Sequence, residues 1–147
     1  MAGMSLIVKT ITRLVTTFIT LFGLYVVVYG HVTPGGGFAG GVIIAAGLIL
    51  VLLAFGREET ALLVSPNTWV KWACGGALAF LGIALLGYLK GSFFMNFLHA
   101  AHPHEMAKAG TIPLLEVAVA AIVGGGLFGV FQALAAFRPA SRKEDQP

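Results

Sequence analysis

Charged residues are scarce in this chain. Asp, Glu, Lys and Arg together make up 10% of its 147 residues, whereas about a quarter is usual in a soluble domain. The formal net charge is only +3, which gives no reason to expect nucleic acid as a partner. This composition argues against a soluble globular domain and for an integral membrane protein.

Cysteine and the residue patterns of common enzymes are also missing. The single cysteine, Cys74, lies in an apolar run, so it cannot form an intramolecular disulfide, and a thiol-based metal site is not expected. The sequence contains no phosphate-binding loop, no nucleotide fingerprint and no nucleophile beside a base. We therefore predict no enzyme activity, no catalytic residue, no metal site and no cofactor.

Apolar residues, by contrast, make up 58% of the chain, and the mean hydropathy is +0.92. A transmembrane helix needs about 20 such residues in a row, and four runs of this kind occur. The sequence predicts an all-α membrane protein with one four-helix transmembrane domain over residues 1–137, followed by a charged tail over 138–147. The predicted spans are 11–30, 38–55, 70–89 and 112–137.

Lysine and arginine positions predict the orientation of these spans, because cytoplasmic segments carry more of both residues. The amino-terminal end, the loop between the second and third spans, and the tail hold seven of them; the other side holds two. We therefore expect both termini to be cytoplasmic and the protein to be a multi-pass protein of the plasma membrane. The seven are Lys9, Arg13, Arg57, Lys71, Arg138, Arg142 and Lys143, and the two are Lys90 and Lys108.

The turn between the first two spans is rich in glycine. Five glycines fall within positions 35–41, after Pro34, and they form two overlapping GxxxG pairs that favour close helix packing. Two interpretations stay open: a tight loop that begins a closely packed helix, or backbone groups exposed to ions or water. The residues assigned to this turn and to helix packing are His31, Pro34, Gly35, Gly36, Gly37, Phe38, Gly40 and Gly41.

A threonine stripe and an interfacial belt complete the apolar spans. Thr12, Thr16 and Thr20 recur at helical spacing, which favours helix packing, with a hydroxyl-lined water path as the alternative. Trp69 and Trp72 flank Lys71 at the start of the third span, an arrangement typical of a membrane interface.

The loop between the third and fourth spans carries aromatic residues followed by histidines. Phe93, Phe94, Phe97 and Leu98 would share one face of a short interfacial helix. His99, His102, His104 and Glu105 follow; they could in principle ligate zinc, but a solvated loop is the favoured interpretation.

Glu116 is the only carboxylate inside an apolar run. It shares a helix face with Ala120 and Gly124, so that face should meet protein rather than lipid. A desolvated carboxylate there could exchange a proton or offer a hard oxygen ligand to a cation. The alternative is an acid that reaches back to water or pairs with a basic residue of another subunit. Glu116 is the one candidate for ion translocation.

Residues 30–41, GHVTPGGGFAGG, fit the pattern GH-x-x-PGGGF-x-GG. This pattern is similar to the signature of MrpB, also called MnhB, a small subunit of multisubunit Na⁺/H⁺ antiporters; related subunits occur in membrane-bound hydrogenase-type complexes. The length and the four-span plan also resemble this family, so the resemblance covers nearly the whole chain. Members often carry an aspartate near the start of the last span, where this chain has Glu116.

The resemblance implies a small subunit of an Mrp-type Na⁺/H⁺ antiporter that contributes to cation and proton translocation and to complex assembly. Its partners would be other membrane subunits of that complex, with Na⁺ and H⁺ as transported ions and the lipid bilayer around it. Three alternatives remain: the equivalent subunit of a redox-driven, ion-pumping complex, a purely structural membrane subunit, and a small stand-alone exporter. The last is disfavoured because such exporters carry their essential glutamate in the first helix, where this chain has none.

Overall fold

The described residues of the computed structural model form four long helices, which confirms the predicted all-α, four-span architecture. The structure describes residues 4–32, 34–56, 59–60, 66–96 and 109–136, and no strand occurs among them. The helices are α1 (Leu6–Val28), α2 (Gly36–Phe55), α3 (Pro66–Leu86) and α4 (Ile112–Ala136), and a 3₁₀ turn (Gly87–Lys90) extends α3. Each of the four is long and apolar enough to cross a membrane. Their orientation across the membrane stays a prediction.

The helices lie side by side in the order α1, α2, α4, α3. Helix α2 packs against both α1 and α4, and α3 packs mainly against α4. Gly37 lies beside Glu116, and Gly41, one turn later, lies beside Ala120. Because residue numbers rise in the same direction along both helices, α2 and α4 are parallel. The two most glycine-rich helices thus occupy the centre of the row.

Close packing between α1 and α2 depends on glycine. A Cβ atom at Gly40 would lie 2.8 Å from the carbonyl oxygen of Gly23 and 3.0 Å from the amide nitrogen of Val27. Gly47 packs against the threonine stripe, because its Cβ would lie 3.6 Å from side-chain atoms of both Thr16 and Thr20. The stripe therefore lies in the interface between the two helices, where small residues allow the backbones to approach.

Glycine also allows α4 to pack closely against α2 and α3. A Cβ atom at Gly41 would lie 2.9 Å from the carbonyl oxygen of Ala120, which places α2 directly on α4. A Cβ atom at Gly125 would lie 2.7 Å from the carbonyl oxygen of Trp69, which places α4 directly on α3. The Trp69 ring also meets the buried Phe128 ring edge-on, with 4.5 Å between centroids.

Helix α1 begins five residues earlier than the predicted start at residue 11, so it includes Lys9 as well as Arg13, which the predicted span already contained. The Lys9 ammonium lies 5.4 Å and the Arg13 guanidinium 5.1 Å from the centroid of the Phe55 ring at the end of α2. Lys9 Nζ also lies 2.5 Å from Glu59 Oε1. The Phe55 ring and Glu59 thus compensate the charges of two basic residues in the first turns of α1. Helices α2 and α3 likewise begin before the predicted residues 38 and 70.

Residues 91–96 form turns, so the predicted interfacial helix is wrong in its first half. Gly91 (φ 107°) and Phe94 (φ 65°) both adopt left-handed backbone angles that a helix cannot contain. The Phe94 amide donates a hydrogen bond of 3.2 Å to the carbonyl oxygen of Ala84, which folds the segment back on α3. Phe97 and Leu98 lie outside the described residues, as do His99, His102, His104, Glu105 and the 138–147 tail.

Candidate functional site

The glycine-rich turn sets the start of α2. His31 Nδ1 lies 3.2 Å from the carbonyl oxygen of Val28, the distance of a hydrogen bond in which the ring N–H donates. Gly35 (φ 117°) and Gly36 (φ 49°) follow, both in the left-handed region where residues with a Cβ are strained. Glycine at these two positions therefore reverses the chain abruptly and starts α2 at Gly36.

Glu116 reaches the start of that helix from α4. It lies in the second turn of α4, and its side chain accepts a hydrogen bond from the backbone N–H of Gly37. The first N–H groups of any helix have no partner within the helix, and α2 has no capping side chain from its own N-cap residue, Gly35. A carboxylate from another helix thus caps α2, 79 positions away along the sequence.

Three glycines make room for this carboxylate. A Cβ atom at Gly30 would lie 3.1 Å from Cδ of Glu116, and one at Gly36 would collide with its carboxylate oxygens. A Cβ atom at Gly37 would collide with the backbone carbonyl oxygen of Glu116 itself. The absence of side chains at these positions is what allows the acid and the helix end to touch.

The helix end also favours the negative charge. The aligned peptide dipoles of α2 place roughly half a positive charge at its N-terminus, and free N–H groups there bind anions readily. An ionised carboxylate in an apolar protein is costly when it has no partner. Glu116 is half-buried, and both the Gly37 N–H and the dipole of α2 compensate its charge. The site can therefore hold a negative charge, and a cation that binds the carboxylate would compete with the Gly37 contact.

The structure assigns different contacts to the residues predicted for the turn. Gly40 faces α1, whereas Gly41 faces α4. Pro34 and Phe38 are exposed, so neither lies between the helices. Gly30 is a site residue that sequence reasoning missed; its place at the start of the GHVTPGGGFAGG motif was the available signal. Thr33, within the motif, lies outside the described residues.

No group of three or more metal-ligating side chains occurs in the described ranges. Glu116 would therefore have to complete any cation site with backbone oxygens, water or groups of other subunits. Hard cations such as Na⁺ accept ligands of this kind. The histidines at 99, 102 and 104 lie outside the described residues, so their relation to Glu116 stays open.

Comparison with known proteins places the chain in a family. Residues 7–129, more than half of the chain, match the family model of a domain related to the MnhB subunit of the Na⁺/H⁺ antiporter. The chain is 32% identical over 124 residues to a Na⁺/H⁺ antiporter subunit of Bacillus subtilis, a match that covers 84% of this chain and 82% of the relative. It is also 34% identical over 128 residues to an uncharacterized protein of Methanocaldococcus jannaschii, over 82% of this chain.

A solved structure shares the fold. A chain of the membrane-bound sulfane sulfur reductase, an archaeal respiratory membrane complex, superposes with a TM-score of 0.77 and 28% identity, over 89% of this chain. Our chain spans 58% of that chain and 48% of the Methanocaldococcus jannaschii relative. The fold therefore occurs within longer polypeptides as well as in a relative of similar length. On the family match and the Bacillus subtilis relative together, the chain belongs to the MnhB family of Na⁺/H⁺ antiporter subunits.

Proposed function

We propose that this chain is a membrane subunit of an Mrp-type Na⁺/H⁺ antiporter and that Glu116 takes part in the movement of Na⁺ or H⁺ through the complex. The observation that carries the proposal is the hydrogen bond from the Gly37 N–H to the Glu116 side chain. It places the one carboxylate of the apolar runs at the positive end of a central helix. Family membership supplies the antiporter context.

The chemistry follows from competition for one carboxylate. In the capped state, the Gly37 N–H and the α2 dipole compensate the charge of Glu116. A proton or Na⁺ that reaches the carboxylate neutralises its charge. The attraction between Glu116 and the N-terminus of α2 then becomes weaker. Loss of that ion restores the cap. Glu116 would thus alternate between a cap on α2 and a ligand for the ion, without leaving a bare charge in the protein.

Assembly with other subunits is the second part of the proposed role. Many large apolar side chains on the helices are exposed, among them Phe18, Leu78 and Leu134. Family members named as antiporter subunits work with other chains, so we propose that neighbouring membrane subunits and lipid cover these faces. We further propose a plasma-membrane location with both termini in the cytoplasm, on the basis of the lysine and arginine distribution.

Three substitutions at Glu116 in the assembled complex separate transport from capping. Glu116→Gln keeps an oxygen that can accept from Gly37 but removes the charge, so we expect assembly to persist and Na⁺-dependent proton movement to be lost. Glu116→Asp withdraws the carboxylate by one C–C bond, about 1.5 Å, and should keep part of the activity. Glu116→Ala removes both functions and should reduce assembly as well as transport.

The measurements are Na⁺-dependent proton movement in inverted membrane vesicles and the amount of complex on a native gel. Glu59→Gln is the matched control, because Glu59 is an exposed glutamate that pairs with Lys9 at the other end of α2. It should leave transport unchanged. Full activity of the Glu116→Gln complex across the pH range would show that Glu116 only caps α2.

A second function has one observation in its favour. The superposition with a chain of an archaeal respiratory membrane complex fits an equivalent subunit of a redox-driven, ion-pumping assembly. In that case electron transfer would lie in other chains, and this chain would serve the ion-moving part. The chains that co-purify with a tagged copy of this protein distinguish the two: iron–sulfur subunits would favour the redox complex.

A further inference from the structure

A groove of about 620 Å³ runs between α3 and α4 on the surface of the helix row. Thr68 and Lys71 line one end, and Ile83 and Leu114 line the other. The wall between them is apolar and includes Gly75 and Ala79. It belongs to a different pair of helices from the contact between Glu116 and Gly37, so it is independent of the proposed function.

The groove has one polar end and one apolar end. Lys71 and Thr68 supply an ammonium and a hydroxyl at the start of α3, beside the exposed Trp72. Tryptophan and lysine at a helix end mark the level of the lipid headgroups. Among the described residues the ion pair joins Lys9 to Glu59, so Lys71 has no anionic partner there. Within the ranges that the structure describes, the ammonium at the polar end is therefore not neutralised by a carboxylate.

The apolar part has the length of a lipid tail. From Thr68 to Ala79 the α3 helix rises about 16 Å, at roughly 1.5 Å per residue. One leaflet of the hydrocarbon core is about 15 Å deep. Open space lies over Gly75, since a Cβ atom there would have no atom within 4 Å. A groove of this shape in a bilayer accepts a chain that runs down from the headgroup level.

We propose that this groove binds one anionic phospholipid, with its phosphate at Lys71 and Thr68 and an acyl chain along Gly75 and Ala79. Basic pockets between transmembrane helices bind anionic headgroups in other membrane proteins. Charge complementarity at a single end distinguishes this occupant from a helix of a partner subunit, which would need no charge at one end of its groove. The lipid would fill the seam between α3, at the edge of the row, and α4.

The test uses the intact complex reconstituted in vesicles that contain a photoactivatable phosphatidylglycerol or, in parallel, the same probe with a phosphatidylcholine headgroup. After irradiation, cross-linked peptides of α3 and α4 are quantified by mass spectrometry. The expected result is preferential labelling by the phosphatidylglycerol probe at peptides that contain the groove. Equal labelling by the two probes would overturn the proposal.

Two substitutions have matched controls, one in the turn after α3 and one in α3 itself. Lys71→Gln should lower phosphatidylglycerol labelling about fivefold, the factor that corresponds to one lysine near an anionic surface, whereas Lys90→Gln, beyond the other end of α3, should not. Gly75→Leu should fill the groove and abolish the labelling. Gly82→Leu should not, because Gly82 is equally open but does not line the groove.

Complex assembly separates a lipid from a protein occupant. If a lipid fills the groove, Gly75→Leu leaves the amount of complex on a native gel equal to that of Gly82→Leu. Loss of the complex in Gly75→Leu alone would show that a partner helix occupies the groove and would overturn the proposal.

Discussion

Substitution of Gly40 tests whether α1 and α2 are held together by direct backbone contact. In Gly40→Ala the added methyl group would lie 2.8 Å from the carbonyl oxygen of Gly23 and 3.0 Å from the amide nitrogen of Val27. Carbon–oxygen contacts normally lie at about 3.3 Å or more. These two neighbours are backbone atoms inside helix α1, and the Val27 side chain lies closer still. The helices must therefore separate by roughly 0.5 Å or more to restore that distance.

The expected cost follows from this overlap. Excess volume in a packed interface destabilises by about 1–3 kcal/mol, whereas alanine in place of glycine inside a helix gains up to about 1 kcal/mol from propensity. Gly82→Ala gains the same propensity without any contact, because no atom lies within 4 Å of its Cβ position. The difference between the two variants therefore isolates the packing cost. Gly40→Leu adds three more carbons and should prevent assembly.

The assay is the amount of complex on a native gel together with the melting temperature of the purified complex. Gly40→Ala should melt below Gly82→Ala, and Gly40→Leu should give little complex while Gly82→Leu assembles. If Gly40→Leu and Gly82→Leu assemble equally well and melt at the same temperature, the α1–α2 contact through Gly40 is not what holds the helices together.

Three smaller predictions concern assembly and the helix ends. The chain expressed alone should aggregate in mild detergent, because its many exposed apolar side chains lack partners; a stable monomer by size-exclusion chromatography, active in liposomes, would contradict the subunit role. Asn96→Ala should lower the melting temperature of the complex at a cost of about 1 kcal/mol, since Asn96 Oδ1 accepts from the Thr111 N–H at 3.1 Å where α4 begins; an unchanged temperature would make this contact irrelevant. Removal of the exposed Lys9–Glu59 pair should cost less than about 1 kcal/mol in a double-mutant cycle, and a larger coupling would refute that weak-pair interpretation.

Local composition was enough to predict the four helices and the start of α4, but not the starts of α1, α2 and α3. Four apolar runs indicated four spans because a bilayer requires about 20 apolar residues in each. The start of α1 was placed too late, because Lys9 was assigned to a short head before the span, whereas Arg13 was placed in its opening turn. Their contacts with the Phe55 ring lie across 42 or more positions of sequence and have no local signal. The turn at Gly91 and Phe94 was missed because the spacing of the aromatic residues is helical, whereas the backbone at these two residues is left-handed.

The sequence was enough to single out Glu116 and the glycine-rich turn, but not to predict the contact between them. Glu116 stood out as the one acid in an apolar run, and the glycines of 35–41 stood out as an unusual helix start. Nothing in either stretch indicated that the acid caps the helix, because the pairing depends on α2 and α4 lying parallel and adjacent. The separation of Gly40 and Gly41 onto two different helices likewise required the order of helices in the row.

Ion exchange by the reconstituted complex tests the central claim most directly. The complex is purified through a tag on this chain, reconstituted in liposomes, and given a Na⁺ gradient with no electron donor present. If the complex is an Mrp-type antiporter, we expect Na⁺-dependent proton movement under these conditions. Proton movement that appears only after an electron donor is added, or none at all from an intact complex, would contradict the antiporter assignment.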